Sequence, residues 1–300
     1  MPIPYMWSKR KSSHKIKNII KQYAKEETVF VDLFAWGFAM GEVFLKDGYK
    51  VIANDLNKYV MALLHQTINK WLDEERCLKF VSRKEFTHIL ENKSKYEDWY
   101  VWYVMTLWSF WNNQISYLLW KDREAIYKKV YDMIVYKKVE KDIKGLLPKK
   151  YIDWILKQDD WHKRRIAFRK VWNVVHKKEF QIQSLERLQS LESLESLQSM
   201  QSLEVQSMDY REVDIPDNAI IYCDPPYSWT AEYSEWWFDS EVFREWAREK
   251  SKTHKLFVSE YNWPNDFDVV YEFSQKSSLC PTWTQSHNNQ PNEKLFYMKK

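Results

Sequence analysis

The chain has 300 residues, of which 45% are hydrophobic and 29% charged, and its formal net charge at pH 7 is +4. No apolar run approaches the roughly 18 residues that a membrane-spanning helix needs, and the charged N-terminal segment does not resemble a secretory signal. The three cysteines are too far apart for a disulfide framework or a paired-cysteine metal site, so we expect a protein of the cytoplasm.

The first elements along the chain predict a β-α-β unit. Residues 29–34 and 50–53 are apolar enough for buried strands, and residues 38–47 between them are compatible with a helix. Two consecutive strands joined by a helix indicate a parallel sheet, and therefore an α/β fold.

The turn after the first predicted strand has the character of a cofactor-binding turn. Asp32 and Phe34 are followed by the small residues Ala35 and Gly37, which would allow a ligand to approach the backbone, with Trp36 between them. Asp55 follows the second strand, where an acidic side chain can bind ribose hydroxyls. The same aspartate could instead cap the next helix, so this pattern alone leaves both interpretations open.

Residues 58–183 change in character and predict an inserted, mainly helical domain. Within it, residues 121–180 hold 18 Lys/Arg against 9 Asp/Glu. Such a basic segment suits contact with a polyanion, although a solvated helical face is an equally good explanation. The side chains expected to contact phosphates are Lys163, Arg164, Arg165, Arg169 and Lys170.

Residues 184–205 form a low-complexity segment of Ser-Leu-Glu and Ser-Leu-Gln triplets. A leucine at every third position advances by about 60° around an α-helix at each step, so no single apolar face is expected. We interpret the segment as a connection between domains, with a short solenoid-like coil as the alternative.

Strand patterns return at residues 218–223, 255–258 and 295–298. We therefore expect one α/β domain made of residues 1–57 and 206–300, interrupted by the helical domain of residues 58–183 and the connection of residues 184–205. In this arrangement the sheet domain carries the chemistry and the insertion contacts the substrate.

The strongest motif is Asp224-Pro225-Pro226-Tyr227, placed directly after the apolar strand of residues 218–223. Ligands bind beyond the carboxyl ends of the strands in an open parallel sheet. Two prolines stiffen the backbone and present carbonyl oxygens without amide hydrogens. An amino group on a planar base could donate one hydrogen bond to the Asp224 carboxylate and one to the Pro225 carbonyl, while Tyr227 stacks on the ring.

These motifs, in this order, resemble those of the Dam-like, alpha-group adenine-specific DNA methyltransferases, including forms from phages and prophages. The resemblance extends over nearly the whole chain and includes Pro4 to Arg10 and Asp209-Tyr210-Arg211. It implies a Rossmann-like class I methyltransferase sheet with an inserted, mainly helical target-recognition domain. It also implies methyl transfer from S-adenosylmethionine to the exocyclic amino group of a flipped adenine in double-stranded DNA, without a metal.

The resemblance assigns roles to particular residues. The catalytic motif maps onto Asp224, Pro225, Pro226 and Tyr227. The residues expected to hold S-adenosylmethionine are Tyr5, Lys9, Asp32, Phe34, Gly37, Asp55, Tyr210 and Asp224. The location implied is the cytoplasm of a bacterial cell or of a phage-infected host. The residues leave open whether a cognate restriction endonuclease accompanies the enzyme.

Other functions are compatible with parts of this pattern. Related Pro-Pro-Tyr motifs act on RNA or on protein amides, although the acidic first residue and the basic insertion favour DNA adenine. A non-catalytic DNA-binding relative is a further alternative. A metal-dependent nuclease is disfavoured, because the seven histidines show no paired ligand spacing.

The composition is unusual in glycine and tryptophan. Proteins of this length contain about 21 glycines, whereas this chain has 4 glycines and 17 tryptophans. Tryptophan occupies positions where the resemblance calls for glycine: Trp7, Trp36, Trp111, Trp120, Trp229, Trp236 and Trp237. Our hypothesis is that the gene comes from a source that reads UGA as glycine, and UGG codons at these positions would contradict it. The alternative is genuine divergence with aromatic packing.

Overall fold

The computed structural model of the chain describes residues 9–70, 72–110, 113–177, 180–195, 202–226, 238–273 and 292–298. The chain divides into two compact units. We call the first, built mainly from Ala62–Gln198, the helical unit. The second, built mainly from Trp7–Met61 and Ser199–Lys300, is called the sheet unit.

The sheet unit contains a seven-stranded, mostly parallel sheet with the strand order β3-β2-β1-β4-β5-β7-β6. Only β7 runs antiparallel to its neighbours β5 and β6. The strands are β1 Val29–Asp32, β2 Lys50–Asn54, β3 Leu203–Gln206, β4 Ala219–Cys223, β5 Lys255–Glu260, β6 Asp268–Glu272 and β7 Lys294–Tyr297. This arrangement confirms the predicted Rossmann-like α/β class.

Helices of the sheet unit bury apolar side chains beside this sheet. They are α1 Ser13–Tyr23, α2 Ala39–Leu45 and α12 Ser240–Ser251. On α1 the fully buried residues Ile16 and Ile20 are four apart, which places them on one face. Asp239 caps helix α12: its side chain accepts hydrogen bonds from the main-chain amides of Glu241 and Val242 in the first turn.

The sequence predicted β1, β2, β4, β5, β7 and α2, and the structure confirms each of them to within a few residues. It did not predict β3 or β6. Both strands are partly exposed along their length, so they lack the continuous apolar run by which the buried strands were recognised. Strand β3 is the parallel partner of β2 at one edge of the sheet.

The helical unit begins within α3 Lys58–His65, and this helix is continued by one π-helical turn at Gln66–Lys70. Its remaining α-helices are α4 Glu74–Cys77, α5 Arg83–Glu91, α6 Asp98–Leu107, α7 Lys121–Tyr136, α8 Lys141–Leu146, α9 Lys149–Leu156, α10 Trp161–His176 and α11 Gln183–Glu195. Helices α5, α7 and α10 account for the charged, helix-compatible stretches of the sequence at residues 85–92, 121–135 and 161–178. In the described part of the chain, no helix combines the length and apolarity needed to span a membrane.

The interpretation of the leucine triplets as a non-helical connection was wrong for most of the segment. Residues Gln183–Glu195 form helix α11, and its four leucines are all nearly inaccessible: Leu185, Leu188, Leu191 and Leu194. Successive leucines do step around the helix, but four of them cover only about half of its circumference. That half of the helix surface is buried within the helical unit. Helix α11 is therefore packed without the narrower apolar stripe that is typical of a surface helix.

Arg187 shows that α11 is an integral part of the helical unit. Its guanidinium group donates hydrogen bonds to the carbonyl oxygens of Thr106, Leu107 and Ser109, at 2.8–3.0 Å. These carbonyls lie at the C-terminal end of α6, where helical acceptors have no partner within the helix. A cation at this end also interacts favourably with the helix dipole.

Candidate functional site

The strand order places a crevice at the carboxyl ends of β1 and β4. The chain leaves β1 towards β2 on one side and leaves β4 towards β5 on the other, which makes this pair the switch point at which open α/β sheets bind ligands. Asp32 ends β1, opposite Tyr222 of β4, and Asp224 follows directly after β4. The motif predicted to be catalytic therefore begins at the site that the topology favours.

Asp224 is buried and forms an ion pair with Lys9. The Lys9 ammonium nitrogen lies 2.9 Å from the Asp224 carboxylate and 2.7 Å from the carboxylate of Glu293, which directly precedes β7. All three side chains are at most 18% exposed. Lys9 thus links the turn before α1 to the ends of two strands and fixes the Asp224 carboxylate at the floor of the crevice.

The environment of Lys9 favours its charged form. Burial by itself lowers the pKa of this ammonium group, but the negative charges of Asp224 and Glu293 outweigh that effect and raise the pKa above its ordinary value. With two carboxylates around one ammonium, the cluster retains one negative charge. Such a cluster is suited to receiving hydrogen-bond donors.

Asp32 lies deeper in the sheet. One of its carboxylate oxygens accepts a hydrogen bond of 3.0 Å from the main-chain amide of Gly41, in the first turn of α2. Burial raises the pKa of Asp32 to about 8, although the Gly41 amide acts in the opposite direction. The Asp32 side chain therefore joins the end of β1 to the start of α2. Its buried environment disfavours the ionised form of the carboxyl group.

Asp55, directly after β2, holds the loop that follows β1. Its carboxylate accepts the main-chain amide of Trp36 at 3.1 Å and that of Asn57 at 2.9 Å. Burial raises the pKa of Asp55 to about 6, against the effect of these two hydrogen bonds. The sequence left open whether Asp55 binds a cofactor or caps the next helix, and the structure shows these two main-chain contacts, one of them to Asn57 directly before α3.

Phe34 and Tyr210 meet in an aromatic cluster at the rim of the sheet. Their ring centroids lie 5.7 Å apart, and both pack against Phe243 of α12. Tyr210 also contacts Trp246 edge to face at 5.1 Å. The two residues expected to contribute to one pocket are thus brought together by the same helix.

Trp36 has an unusual backbone and crosses the crevice. Its φ of 44° is in the left-handed region, which favours glycine and is strained for an indole-bearing residue. The indole nitrogen donates a hydrogen bond of 2.8 Å to the main-chain carbonyl of Asp224. Trp36 therefore connects the loop after β1 to the end of β4, and it lines the same cavity as Asp32.

The space left between these groups is very small. A cavity of about 20 Å³ lies at the crevice, and its volume is sufficient for about one water molecule. It is lined by Lys9, Asp32, Phe34, Ala35, Trp36, Gly37, Ala39, Met40, Tyr222 and Asp224. Five of the residues expected to hold a cofactor are in this lining, but the cavity that they form with Trp36 does not fit S-adenosylmethionine.

Some of the predicted residues lie elsewhere. Tyr5 and Tyr227 are outside the described residues. Pro225 is buried and Pro226 half-buried. Two further residues were not singled out from the sequence: Glu293, which has no motif around it, and Asn54, whose amide side chain bonds to the main chain at both Leu33 and Met208.

Two of the residues expected to contact phosphates, Arg164 and Arg165, are buried in the helical unit. Arg164 is 5% exposed and donates to the carbonyl oxygens of Ile134, Val135, Gln158 and Asp159 within the helical unit. Arg165 is 9% exposed and pairs with Glu186 at 3.0 Å. Most of their donors are engaged inside the unit, so these two side chains hold α10 in place, and their contact with phosphates stays a prediction.

The other three basic residues on α10 are exposed. Lys163 pairs with Asp159 at 2.8 Å, and Arg169 lies 3.7 Å from Glu186. Ion pairs at such exposed positions contribute little to stability and can exchange partners. Lys163, Arg169 and Lys170 thus keep the accessibility that contact with a polyanion requires.

Two of the seven tryptophans at expected glycine positions are in the described residues. Trp36 has the backbone conformation that glycine favours, whereas Trp120 has an ordinary φ of −67° and an exposure of 70%. The others lie outside the described residues: Trp7, Trp111, Trp229, Trp236 and Trp237. Among the described residues, no group of three metal-ligating side chains could hold a metal ion.

Comparison with family models identifies the family to which the chain belongs. Residues 5–288 match the family described as D12 class N6 adenine-specific DNA methyltransferase. The match includes both units and the crevice at β1 and β4. A search of curated proteins returned no significant match.

Proposed function

We propose, for a chain that belongs to the D12 class N6 adenine-specific DNA methyltransferases, that Asp224 and the Pro225 carbonyl orient the adenine amino group and that S-adenosylmethionine is the methyl donor. The single observation that carries this proposal is the position of Asp224, buried at the switch point of the sheet. Enzymes that modify a base take it out of the helical stack, and a crevice at this edge is where a flipped adenine can enter.

Asp224 is suited to this role by its surroundings. Lys9 holds its carboxylate by a 2.9 Å contact, so the acceptor has a defined position before substrate binds. An amino group has two hydrogens, and two acceptors in fixed positions determine where its lone pair points. Much of the rate enhancement available to such a site comes from positioning.

Lys9 is proposed to be a positioning residue for Asp224. Its second contact, with Glu293, keeps the ammonium group in place from the opposite side. Asp32, Phe34 and Gly37 line the pocket and are proposed to contact the donor. Tyr210 packs on Phe34 and Asp55 holds the loop after β1, so both are proposed to support the pocket from outside its lining.

The helical unit is proposed to contribute DNA contacts that take no part in methyl transfer. Lys163, Arg169 and Lys170 are exposed on one helix in the most basic part of the sequence. Contacts to phosphate position a protein on the duplex, whereas contacts to base edges provide specificity. The compartment proposed for this reaction is the cytoplasm, where bacterial and phage DNA is accessible.

The proposal is tested by methyl transfer from labelled S-adenosylmethionine to unmethylated double-stranded DNA, with 6-methyladenine measured by mass spectrometry. The chain used carries glycine at the seven tryptophan positions. We expect Asp224→Asn to lower the rate by at least about 100-fold, since it removes a preorganised electrostatic contact.

Asp266→Asn is the matched control. Asp266 belongs to the same unit but pairs with Arg248 at the surface, so its change should leave the rate unaltered. RNA and a protein amide substrate are tested in parallel. Equal rates for the two aspartate variants, or transfer to RNA or amide alone, would contradict the proposal.

A further inference from the structure

We infer that Trp36 occupies the place of the methyl donor, and that the size of the side chain at position 36 decides whether the crevice can take the donor. This inference rests on the proposed function, because it treats the crevice between β1 and β4 as the donor site. It concerns the sequence of this chain in particular, because tryptophan stands at position 36, where the family resemblance calls for glycine.

The first argument is the path of the residue through the crevice. The main-chain amide of Trp36 is bonded to Asp55, and its indole nitrogen is bonded to the carbonyl of Asp224. A donor that contacts Asp55 with its ribose and presents a methyl group near Asp224 has to run along the same line. The indole and the donor therefore compete for one position.

The second argument is volume. The cavity beside Trp36 measures about 20 Å³. Pockets that bury ligands of the size of a nucleoside cofactor are roughly 300–1,000 Å³. Strand β1 and the buried helix α2 flank the cavity, and neither can move without changing the fold. More space can therefore come only from a smaller side chain.

The third argument is the backbone itself. A φ of 44° at Trp36 is a conformation that glycine adopts without strain and that is strained for a residue with a Cβ atom. The hydrogen bond from residue 36 to Asp55 is made by the main chain, so it survives any change of side chain. Trp246 is different: it lies within helix α12 and packs on Phe243 and Tyr210, where an aromatic side chain is at home.

The test is calorimetric binding of S-adenosylmethionine and S-adenosylhomocysteine, without DNA, to the chain as written and to four variants. Trp36→Gly opens the crevice and relieves the backbone, and Trp36→Ala opens it while keeping the strained φ. Trp36→Phe keeps an aromatic ring in place but removes the indole donor. Trp120→Gly makes the same chemical change in the helical unit, at an exposed residue that does not line this cavity.

We expect both Trp36→Gly and Trp36→Ala to bind at least about tenfold more tightly than the chain as written, which corresponds to about 1.4 kcal/mol. Trp36→Phe and Trp120→Gly should bind no better than the chain as written. Since Ala and Gly differ in backbone freedom, agreement between them shows that volume is the cause. If the glycine variant fails to fold, the alanine variant decides the question.

Tight binding by the chain as written, or equally tight binding by Trp36→Phe, would overturn the inference and leave the proposed function standing. The absence of binding in every variant would also overturn it. The proposed function is then decided separately by the Asp224→Asn comparison in the chain with seven glycines. The two failures are therefore distinguishable.

Discussion

Three carboxyl groups lie buried at the ends of adjacent strands, and each is stabilised in a different way. Asp224 is neutralised by the Lys9 ammonium, Asp55 by two main-chain amides, and Asp32 by a single amide. The strength of these partners decreases in that order, and the pKa of Asp32, at about 8, is raised further than that of Asp55, at about 6. Of these two carboxyl groups, Asp32 is therefore the one whose ionised form the fold disfavours more.

A pH dependence of stability follows from Asp32. Its pKa rises from 3.8 to about 8 on folding, so the folded state holds the proton more tightly than the unfolded chain does. Its contribution is favourable below about pH 4 and is lost as the pH rises towards 8, by at most about 1.4 kcal/mol per pH unit. Asp32→Asn should flatten this part of the profile, measured as the free energy of unfolding in denaturant between pH 5 and pH 8.

Asn keeps a carbonyl oxygen for the Gly41 amide but does not titrate, which makes the comparison specific for the charge. The other buried acids are unchanged between the two proteins and cancel in the difference. Parallel stability profiles for the chain as written and for Asp32→Asn would show that Asp32 is ionised in both states.

The residues of the crevice differ in how far sequence could identify them. Asp224 and Asp32 belong to motifs with a fixed place beside a strand, whereas Lys9 was assigned by family resemblance, and the structure brings all three to one cavity. Glu293 could not be found in this way, because its contact with Lys9 joins opposite ends of the chain. Trp36 was identified as out of place from composition and family resemblance, but its bond to Asp224 depends on the fold.

At the scale of elements, the turn between β1 and α2 depends on Gly41. A Cβ atom at this position would lie 2.1 Å from a ring carbon of Phe38, which is fully buried. Gly41→Ala should therefore lower the free energy of unfolding by about 1–3 kcal/mol, the usual cost of overpacking a closed core. Denaturant titration followed by circular dichroism measures the change.

Gly145→Ala is the matched control for that substitution. Gly145 lies in α8, and a Cβ there would meet no atom within 4 Å. Alanine in a helix is favoured over glycine, so we expect a gain of about 0.5–1 kcal/mol. The same sign for both substitutions would contradict the packing described around Phe38.

Helix α11 provides a second prediction at this scale. Leu188 is 2% exposed, and its replacement by alanine should cost about 2–5 kcal/mol, as for other buried leucines. Val174→Ala, on the exposed side of α10, is the control and should change stability by less than about 0.5 kcal/mol. Similar small effects at both positions would support the original interpretation of the leucine triplets as a loose connection.

The elements that sequence predicted and those that it missed differ in burial. Strands β1, β4 and β5 are almost continuously buried and were predicted from their apolar runs. Strand β3 pairs only at an edge, and α11 has a three-residue period that fits neither regular pattern. Their structure depends on neighbours that are distant in sequence, which local periodicity cannot express.

At the scale of the whole molecule, charge is divided between the two units. The basic part of the helical unit is expected to bind DNA phosphates, and the salt dependence of binding measures how many contacts it makes. Replacing Lys163, Arg169 and Lys170 together by glutamine should reduce the slope of log affinity against log salt by up to about 3, since each contact contributes about 0.9. Fluorescence anisotropy with labelled duplex DNA provides this slope.

Lys252→Gln is the control, because Lys252 is an exposed lysine of the sheet unit that pairs with Glu249. Its loss should leave the slope nearly unchanged. If the triple variant is folded and its slope is unaltered, the phosphate contacts do not lie on α10.

The central claim is that one crevice, between the carboxyl ends of β1 and β4, is the donor site and that Trp36 fills it. A crystal structure of Trp36→Gly with S-adenosylhomocysteine tests this directly. The account predicts that the ligand lies between Asp32 and Asp224, along the line that the indole follows here. A ligand bound elsewhere, or held in the same crevice by the chain as written with Trp36 turned aside, would contradict it.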